Sequence, residues 1–396
     1  MRCVYCVVPD VRRGGVFRNF VLLRRHLQTL GWEVTGVCVG EQIRSDAIQW
    51  SEDACENVAL NAPNLKEAAQ AFVRWVRAIS PQVVLYSNMP AVSAAIPHLP
   101  GNVRAVSRCY STGRHAYRAV TFAHERLDAI VAVSQRQYDD LRLYCPGAAR
   151  RLQLIPNGVE GSKRAQRGIS FAPLRLAYVG RLDDDSKGVF LLPRVASELR
   201  RRGLLFRLSV VGDGPDGAEL KQRCARLRSC KSIEFLGAVS HVEVANLLAD
   251  TDILLLPSRY EGCPNAVLEA MAEGVVPVAT KLRGVTDWII DDGRTGMLCR
   301  YGDPKSFARA IVAMDRDRKG LVTMQTAAIE AVRRRFSAET MATAYHELFS
   351  RLIMSQPVRE PRPWSEFRQN PAYRPTWRRF LPRWLKQYVR RRFRVG

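Results

Sequence analysis

The sequence predicts a two-domain α/β protein with doubly wound parallel sheets, and three stretches carry that expectation. Residues 252–280 read as a short buried strand, a loop, a helix and a second strand. The apolar run at 252–257 is too short for a helix and is bounded by turn residues, and the run at 275–280 follows the helix at once. Residues 3–8 form an apolar run that leads through a basic loop with Gly14 and Gly15 into a helical pattern carrying Phe20, Val21, Leu27 and Leu30. Residues 174–179 repeat the arrangement, a strand opening into the loop GRLDDDSKG. Strand, loop, helix, strand is the unit of a parallel sheet whose ligands sit beyond the carboxyl ends of the strands. A chain of 396 residues, 47% hydrophobic, is too long for one ordinary core and apolar enough for two.

In chain order, the first domain is expected over residues 1–160, with strands at 3–8, 32–39, 83–86, 103–107, 127–134 and 152–158 and a helix at 65–79 that stops before Ser80 and Pro81. Its glycine loop is a phosphate-cradling geometry, but the G-x-G-x-x-G fingerprint is absent, which disfavours a nicotinamide cofactor. Residues 161–170 are polar and charged, as a linker is. The second domain, 171–336, is expected to hold strands at 174–179, 206–211, 233–236, 252–257 and 275–280 and helices at 304–314 and 321–336. Pro264 suits the first position of a helix that continues through good helix formers, so Glu261 falls on the loop and Glu269 within the helix. Asn265, Ala266 and Val267 then aim backbone N–H groups and a positive dipole end at an anion. An amphipathic helix at 337–354 and a basic tail at 355–396 complete the chain.

The formal charge of +23, with arginine far outnumbering lysine, implies anionic partners: nucleotides, phosphorylated lipid, a membrane surface or nucleic acid. Ten cysteines are scattered along the chain, several inside apolar strands, which is reduced, cytosolic usage. Cys3 and Cys6 have C-x2-C spacing, but no second such pair follows, and their odd offset in a strand places them on opposite faces, against zinc. The first residues lack the apolar core and cleavage site of a signal peptide, and no apolar run is long enough to span a bilayer, so the expectation is a cytoplasmic protein.

The spacing of Glu261 and Glu269, the Pro-Asn-Ala turn between them and the later DGRTG and GDP turns resemble the donor-sugar motif of family-four glycosyltransferases of the GT-B fold. That resemblance covers residues 1–354 and implies two Rossmann-like domains facing a cleft. It implies that Glu261 faces the transferred sugar, that Glu269 holds the ribose diol, and that Gly14 and Gly15 approach the donor diphosphate. Arg181 and Lys187 match the basic pair that the family places on the donor phosphates. As the bond to phosphate breaks, negative charge builds on the leaving diphosphate, and fixed cations stabilise it. The implied donor is a nucleotide diphospho-sugar bound as substrate, with no cofactor and no metal. Three consecutive aspartates, Asp183 to Asp185, are accordingly expected to form a solvated turn.

Where the family carries a cleft histidine, this chain has Cys109, with His115 six residues on in its loop. Either stands on the acceptor side, and the thiol is the weaker hydrogen-bonding group. Arg108 and Arg114 serve an anionic acceptor or are surface charge. The helix at 337–354 is implied to return to the first domain. The reaction implied is retaining transfer of a sugar to a hydroxyl, in synthesis of cell-surface polysaccharide, lipopolysaccharide or glycolipid. Two other classes compete. Glu261 and Glu269 as a glycosidase pair leave Arg181 and Lys187 without purpose. A nucleic-acid-binding or membrane-surface-binding protein without transferase activity follows from charge alone, and no nucleic-acid readout motif supports the former.

From Pro357 to the end, twelve basic residues face two acidic ones, so nearly half the net charge lies in a tenth of the chain. Trp377, Phe380, Leu381, Trp384, Leu385, Tyr388 and Val389 recur at three- and four-residue steps, an apolar stripe opposite the arginines, interrupted by Pro382. Such a helix lies in an anionic membrane interface or packs its stripe on the first domain. The first alternative places the protein at the inner face of the membrane, with a lipid-linked or saccharide acceptor.

Overall fold

The computed structural model describes residues 1–6, 15–40, 55–59, 61–87, 89–161, 168, 172–226, 232–355 and 360–373. The chain divides into two units, one made of residues up to Pro156 and from Met341 on, the other of Asn157–Thr340.

The first unit holds a seven-stranded sheet of β1 (Arg2–Cys6), β2 (Glu33–Val39), β3 (Cys55–Val58), β4 (Val83–Tyr86), β5 (Arg104–Cys109), β6 (Ala129–Ala132) and β7 (Leu152–Leu154) in the order β3-β2-β1-β4-β5-β6-β7. Every pairing is parallel. The order reverses between β1 and β4, the switch point where open sheets of this kind leave a crevice. β4, β5 and β6 are buried at every position; β4 and β6 accordingly read as unbroken apolar runs, whereas β5 also buries Arg104, Ser107 and Arg108.

The returning helix, Ala338–Met354, packs on this unit from Met341 on. Tyr345 and Phe349 are fully buried, and Trp32 sets its ring 5.3 Å from Phe349 while its Nε1 donates to His346 Nδ1 at 3.0 Å. Beneath it lies Arg108, which is not the surface charge that the sequence allowed. Its side chain is wholly buried, donates to the Tyr5 hydroxyl at 3.1 Å and stands 4.8 and 5.4 Å from the rings of Tyr110 and Tyr345. One strand turn away, Arg104 donates to the carbonyl of Ser355 and pairs with Asp128, so β5 holds the returning helix near both its ends.

Residues 360–373 lie against the opposite layer of the same unit. Trp364 stacks on His98 with ring centroids 4.0 Å apart, and His98 Nδ1 donates to the carbonyl of Arg362 at 2.8 Å. Asn370 is fully buried and donates to Ser93 Oγ and to the carbonyl of Ala119. The apolar stripe from Trp377 to Val389 falls outside the described residues.

Burial lowers the His98 pKa from the ordinary 6.5, aided by the charges of Arg362 and Arg126 and opposed by the Arg362 carbonyl and Glu366. The folded state therefore binds fewer protons than the unfolded chain as pH falls below about 6.5, so this contribution is complete above that value and shrinks below it. His98→Phe, which keeps the stack and removes the titration, is expected to flatten the acid side of the urea-midpoint profile. Superimposable profiles for the two proteins would show that His98 does not titrate in this way.

The second unit holds a six-stranded sheet of β8 (Leu174–Val179), β9 (Phe206–Val211), β10 (Ile233–Gly237), β11 (Ile253–Leu256), β12 (Val276–Thr280) and β13 (Met297–Cys299), ordered β10-β9-β8-β11-β12-β13. All its pairings are parallel too, and the order reverses between β8 and β11. Together these are two Rossmann-like sheets in one GT-B chain. Of the polar segment at 161–170, only Gly161 and Gly168 are among the described residues.

Candidate active site

The second unit gathers its chemistry at the β8/β11 switch point, where two loops leave the carboxyl ends of adjacent strands. The first runs from Gly180 to the short helix Asp184–Lys187, and the second runs from Pro257 to the helix Asn265–Ala272. They are stitched together by backbone: the N–H groups of Arg259 and Tyr260 both donate to the carbonyl of Ser186, at 2.8 and 3.2 Å. Gly188 makes this approach possible. It ends the short helix at φ 62°, and a Cβ there would stand 2.3 Å from the carbonyl oxygen of Pro257.

That docking brings Lys187 to Glu261 across 74 residues of sequence. Lys187 Nζ donates to Glu261 Oε1 at 2.7 Å, and Ser258 Oγ donates to the same oxygen at 2.7 Å. The Lys187 side chain keeps 27% of its exposure and Glu261 only 7%. Ser258 escaped the sequence reading, although a hydroxyl three residues before a loop glutamate is a usable signal. Behind the pair, burial raises the Tyr178 phenol well above its ordinary value, the negative charge of Glu261 adds to this, and its hydroxyl donates to the carbonyl of Arg181 at 2.8 Å. That bond fixes the Arg181 backbone while its side chain points into solvent. The same loop thus carries a half-shielded lysine and an exposed arginine.

The three aspartates are not a solvated turn. Asp183 caps the short helix, accepting from the Asp185 N–H at 3.1 Å and from Ser186 Oγ at 3.1 Å. Asp184 is buried and accepts from the Phe190 N–H at 2.9 Å and from Arg259 Nη2 at 3.2 Å, while its own N–H donates to Asp216 at 2.7 Å. The carboxylates of Asp183 and Asp184 hold the loop in shape. Among the described residues there is no cluster of three His, Cys, Asp or Glu side chains that could hold a metal ion.

The helix carrying Glu269 starts one residue later than the sequence predicts. Pro264 is its cap, at φ −73° and ψ 99°, and Asn265 its first residue, because the residue before a helix takes extended backbone. No side chain caps it. Asn157 Nδ2 donates to Asn265 Oδ1 at 2.6 Å and to the Cys263 carbonyl at 3.3 Å, which fixes the loop's exit into the helix. Ala266 and Glu269 are half-buried, and Val267 packs in the core.

In the first unit, Gly15 opens the helix Gly15–Thr29 and is exposed, while Gly14 lies outside the described residues. Cys109 ends β5 fully buried, with Sγ 3.2 Å from the Ser111 carbonyl, and burial pushes its thiol up to about 12. It is a core thiol. His115 is not on a loop but in the helix Arg114–Val120, exposed, with its ring edge-on to Tyr373 at 6.5 Å. The helix was missed because seven residues are too few to show a helical period.

Residues 173–317 match the family model described as glycosyl transferases group 1, and residues 13–163 match the one described as glycosyltransferase family 4. A glycogen synthase of Mycobacterium tuberculosis is 29% identical over 239 residues, 60% of this chain and 56% of that protein. A sulfoquinovosyl transferase of Arabidopsis thaliana is 25% identical over 337 residues, 76% of this chain and 63% of that protein. In both cases the chain spans less than two thirds of the relative's own length. The crystal structure of HepE from Anabaena, solved with UDP and glucose, superposes with a TM-score of 0.72 at 19% identity over 89% of this chain and all of that one.

Proposed function

Because this chain belongs to the family-four, group-one glycosyltransferases, we propose that it transfers a sugar from a nucleotide diphospho-sugar to a hydroxyl acceptor with retention of configuration. The observation that carries this is the Lys187, Glu261 and Ser258 cluster at the β8/β11 switch point, on whose first loop Arg181 also lies. A buried carboxylate holds the lysine ammonium in place before any ligand arrives, so little reorganisation is needed when charge develops on a leaving diphosphate. Arg181 offers a planar fork that spans two phosphate oxygens. Glu261, whose Oε1 accepts from Lys187 and Ser258, faces the transferred sugar, and Glu269 takes the ribose diol, a role that suits a carboxylate's two acceptor oxygens. These two cations supply the positive charge without a resident metal. HepE, a relative in fold, is described in complex with UDP and glucose, which supports a nucleotide-sugar donor of that chemistry.

No protein base is assigned. Retention allows the acceptor hydroxyl to attack from the face the phosphate leaves, so a donor phosphate oxygen takes the proton. The buried thiol of Cys109 agrees with this, since at about 12 it neither gives nor takes a proton near neutrality. The acceptor is a saccharide or lipid-linked saccharide, met at the inner face of a membrane to which the basic segment after Tyr373 binds. Among the described residues no helix is long and apolar enough to cross a membrane.

A thermal-shift series over UDP, GDP and ADP tests the donor assignment, because a ligand that binds only the folded state raises stability by RT ln(1 + [L]/Kd). One nucleotide is expected to raise the melting temperature in wild type. Glu269→Ala is expected to lose most of that shift, whereas Glu261→Ala keeps it and loses transfer. No shift with any nucleotide, or equal loss in both variants, would remove the assignment. The anomeric configuration of the product, read by NMR, tests retention.

A further inference from the structure

Four loops at the carboxyl edge of the second sheet are joined by one line of contacts. On the loop after β9, Asp216 is buried, and its Oδ2 accepts at 2.7 Å from the N–H of Asp184, on the loop after β8. The Asp184 carboxylate divides its oxygens: Oδ1 accepts from the Phe190 N–H at 2.9 Å, and Oδ2 accepts at 3.2 Å from Nη2 of Arg259, on the loop after β11. The Arg259 guanidinium in turn lies over the ring of Tyr301, on the loop after β13, 5.3 Å from its centre. Tyr301 stands on a fixed base. Two residues on, Asp303 caps the helix Pro304–Arg316, its Oδ1 accepting from two N–H groups of the first turn at 2.9 and 3.2 Å. Arg259 therefore spans two anchors, each held by bonds of its own.

Arg259 follows Ser258 and stands two residues before Glu261, while Asp184 opens the short helix that Lys187 closes. A slip of the Arg259 side chain against Asp184 thus moves Glu261 against Lys187. The backbone bonds between the two loops converge on a single oxygen, the Ser186 carbonyl, about which the loops can pivot. A second attachment through side chains removes that pivot. An ion pair on an open surface contributes almost nothing, but here the arginine side chain keeps 30% of its exposure and the aspartate 10%. We propose that Arg259 is a positioning residue: bridging Asp184 and Tyr301, it sets the angle between the two loops at which Lys187 Nζ meets Glu261 Oε1. This role rests on the transferase reading given above, in which that pair stands at the reacting centre. Tyr301 acts through Arg259, holding the planar guanidinium over its ring, a contact that the point charge of a lysine reproduces poorly. Misplacement of a reacting group by a fraction of its own size is costly, so a residue that touches no substrate still sets the rate.

Two readouts on the full chain test the proposal. The first needs no donor: the rate at which acetic anhydride modifies Lys187, followed by peptide mass spectrometry, with Lys66, exposed on the first unit, as internal reference. Lys187 reacts slowly while Glu261 covers it. The second is turnover of whichever of UDP-glucose, GDP-mannose and ADP-glucose the wild type uses fastest. Arg259→Met is expected to speed Lys187 modification about fivefold or more and to cut turnover roughly 10- to 100-fold, with donor KM within about threefold. Tyr301→Ala, at an exposed position, is expected to move both readouts the same way by a smaller factor and to add nothing on top of Arg259→Met. Arg259→Lys should regain the melting temperature and only part of the turnover. Asp184→Asn with Arg259→Met removes the charge that the single variant strands, so it should regain the melting temperature without the turnover. Unchanged Lys187 modification or near-wild-type turnover in Arg259→Met overturns the proposal, as does recovery of turnover together with melting temperature in the Asp184 and Arg259 double variant, which would make Arg259 only a partner for the Asp184 charge. Faster Lys187 modification in Arg259→Met, with no turnover of any of the three donors by wild type, would leave the positioning standing and count against the transferase reading instead.

Discussion

Arg181→Ala and Lys187→Ala are each expected to cut turnover by roughly 100- to 1000-fold with donor saturating, the scale of losing one preorganised group that stabilises a developing anion. Their effects on folding should differ. Arg181 is exposed, so its alanine variant is expected to melt within about 0.5 kcal/mol of wild type. Lys187 faces a carboxylate that is only 7% exposed, and its removal leaves that charge with Ser258 as its named partner. Stranding one half of a buried pair costs about 3 to 5 kcal/mol; the 27% exposure of the lysine argues for the lower end. Adding Glu261→Gln to Lys187→Met removes the stranded charge and is expected to restore most of the melting temperature without restoring turnover. Arg181→Lys should recover little, since a point charge cannot hold two phosphate oxygens at once. Near-wild-type turnover in either alanine variant would end the phosphate assignment. Recovery of turnover in the Lys187 and Glu261 double variant would show that the lysine matters only to folding.

The same pair marks how far the sequence could be read. Both sheets were legible where strands are buried on both faces, since β4, β11 and β12 are apolar runs bounded by turns, and the helix Leu65–Ile79 has a wide apolar stripe with Asn64 capping its start. β3 was not, because its four residues CENV sit at the sheet's edge with one buried position and carry no pattern. Nor was β13, three residues long. Glu261, Lys187 and Arg181 were found through the motif. What they touch was not, since the Lys187 contact spans 74 residues and nothing local encodes it. Arg108 and the aspartates went astray for that reason. Charges read as solvated from composition are buried when a distant partner satisfies them, Tyr5 for Arg108 and Arg259 for Asp184.

Gly212 is expected to be the least replaceable glycine of the second unit. It follows β9 at φ 129°, donates its N–H to the Gly237 carbonyl at 2.7 Å, and a Cβ on it would lie 1.9 Å from the carbonyl oxygen of Gly180. That neighbour is backbone and is itself held, because the Gly180 N–H donates to the Val211 carbonyl at 3.1 Å. Gly212→Ala must therefore push apart the ends of β8 and β9 and carry the Arg181 loop with them. A loss on the order of 3 kcal/mol or more is expected, along with the nucleotide-dependent thermal shift. Gly203 separates the two causes. It has φ 75° with nothing within 4 Å of a built Cβ, so Gly203→Ala meets only the left-handed backbone penalty of roughly 1 to 2 kcal/mol. If Gly212→Ala melts no lower than Gly203→Ala and still answers to nucleotide, the contact with Gly180 is not what shapes the Arg181 loop.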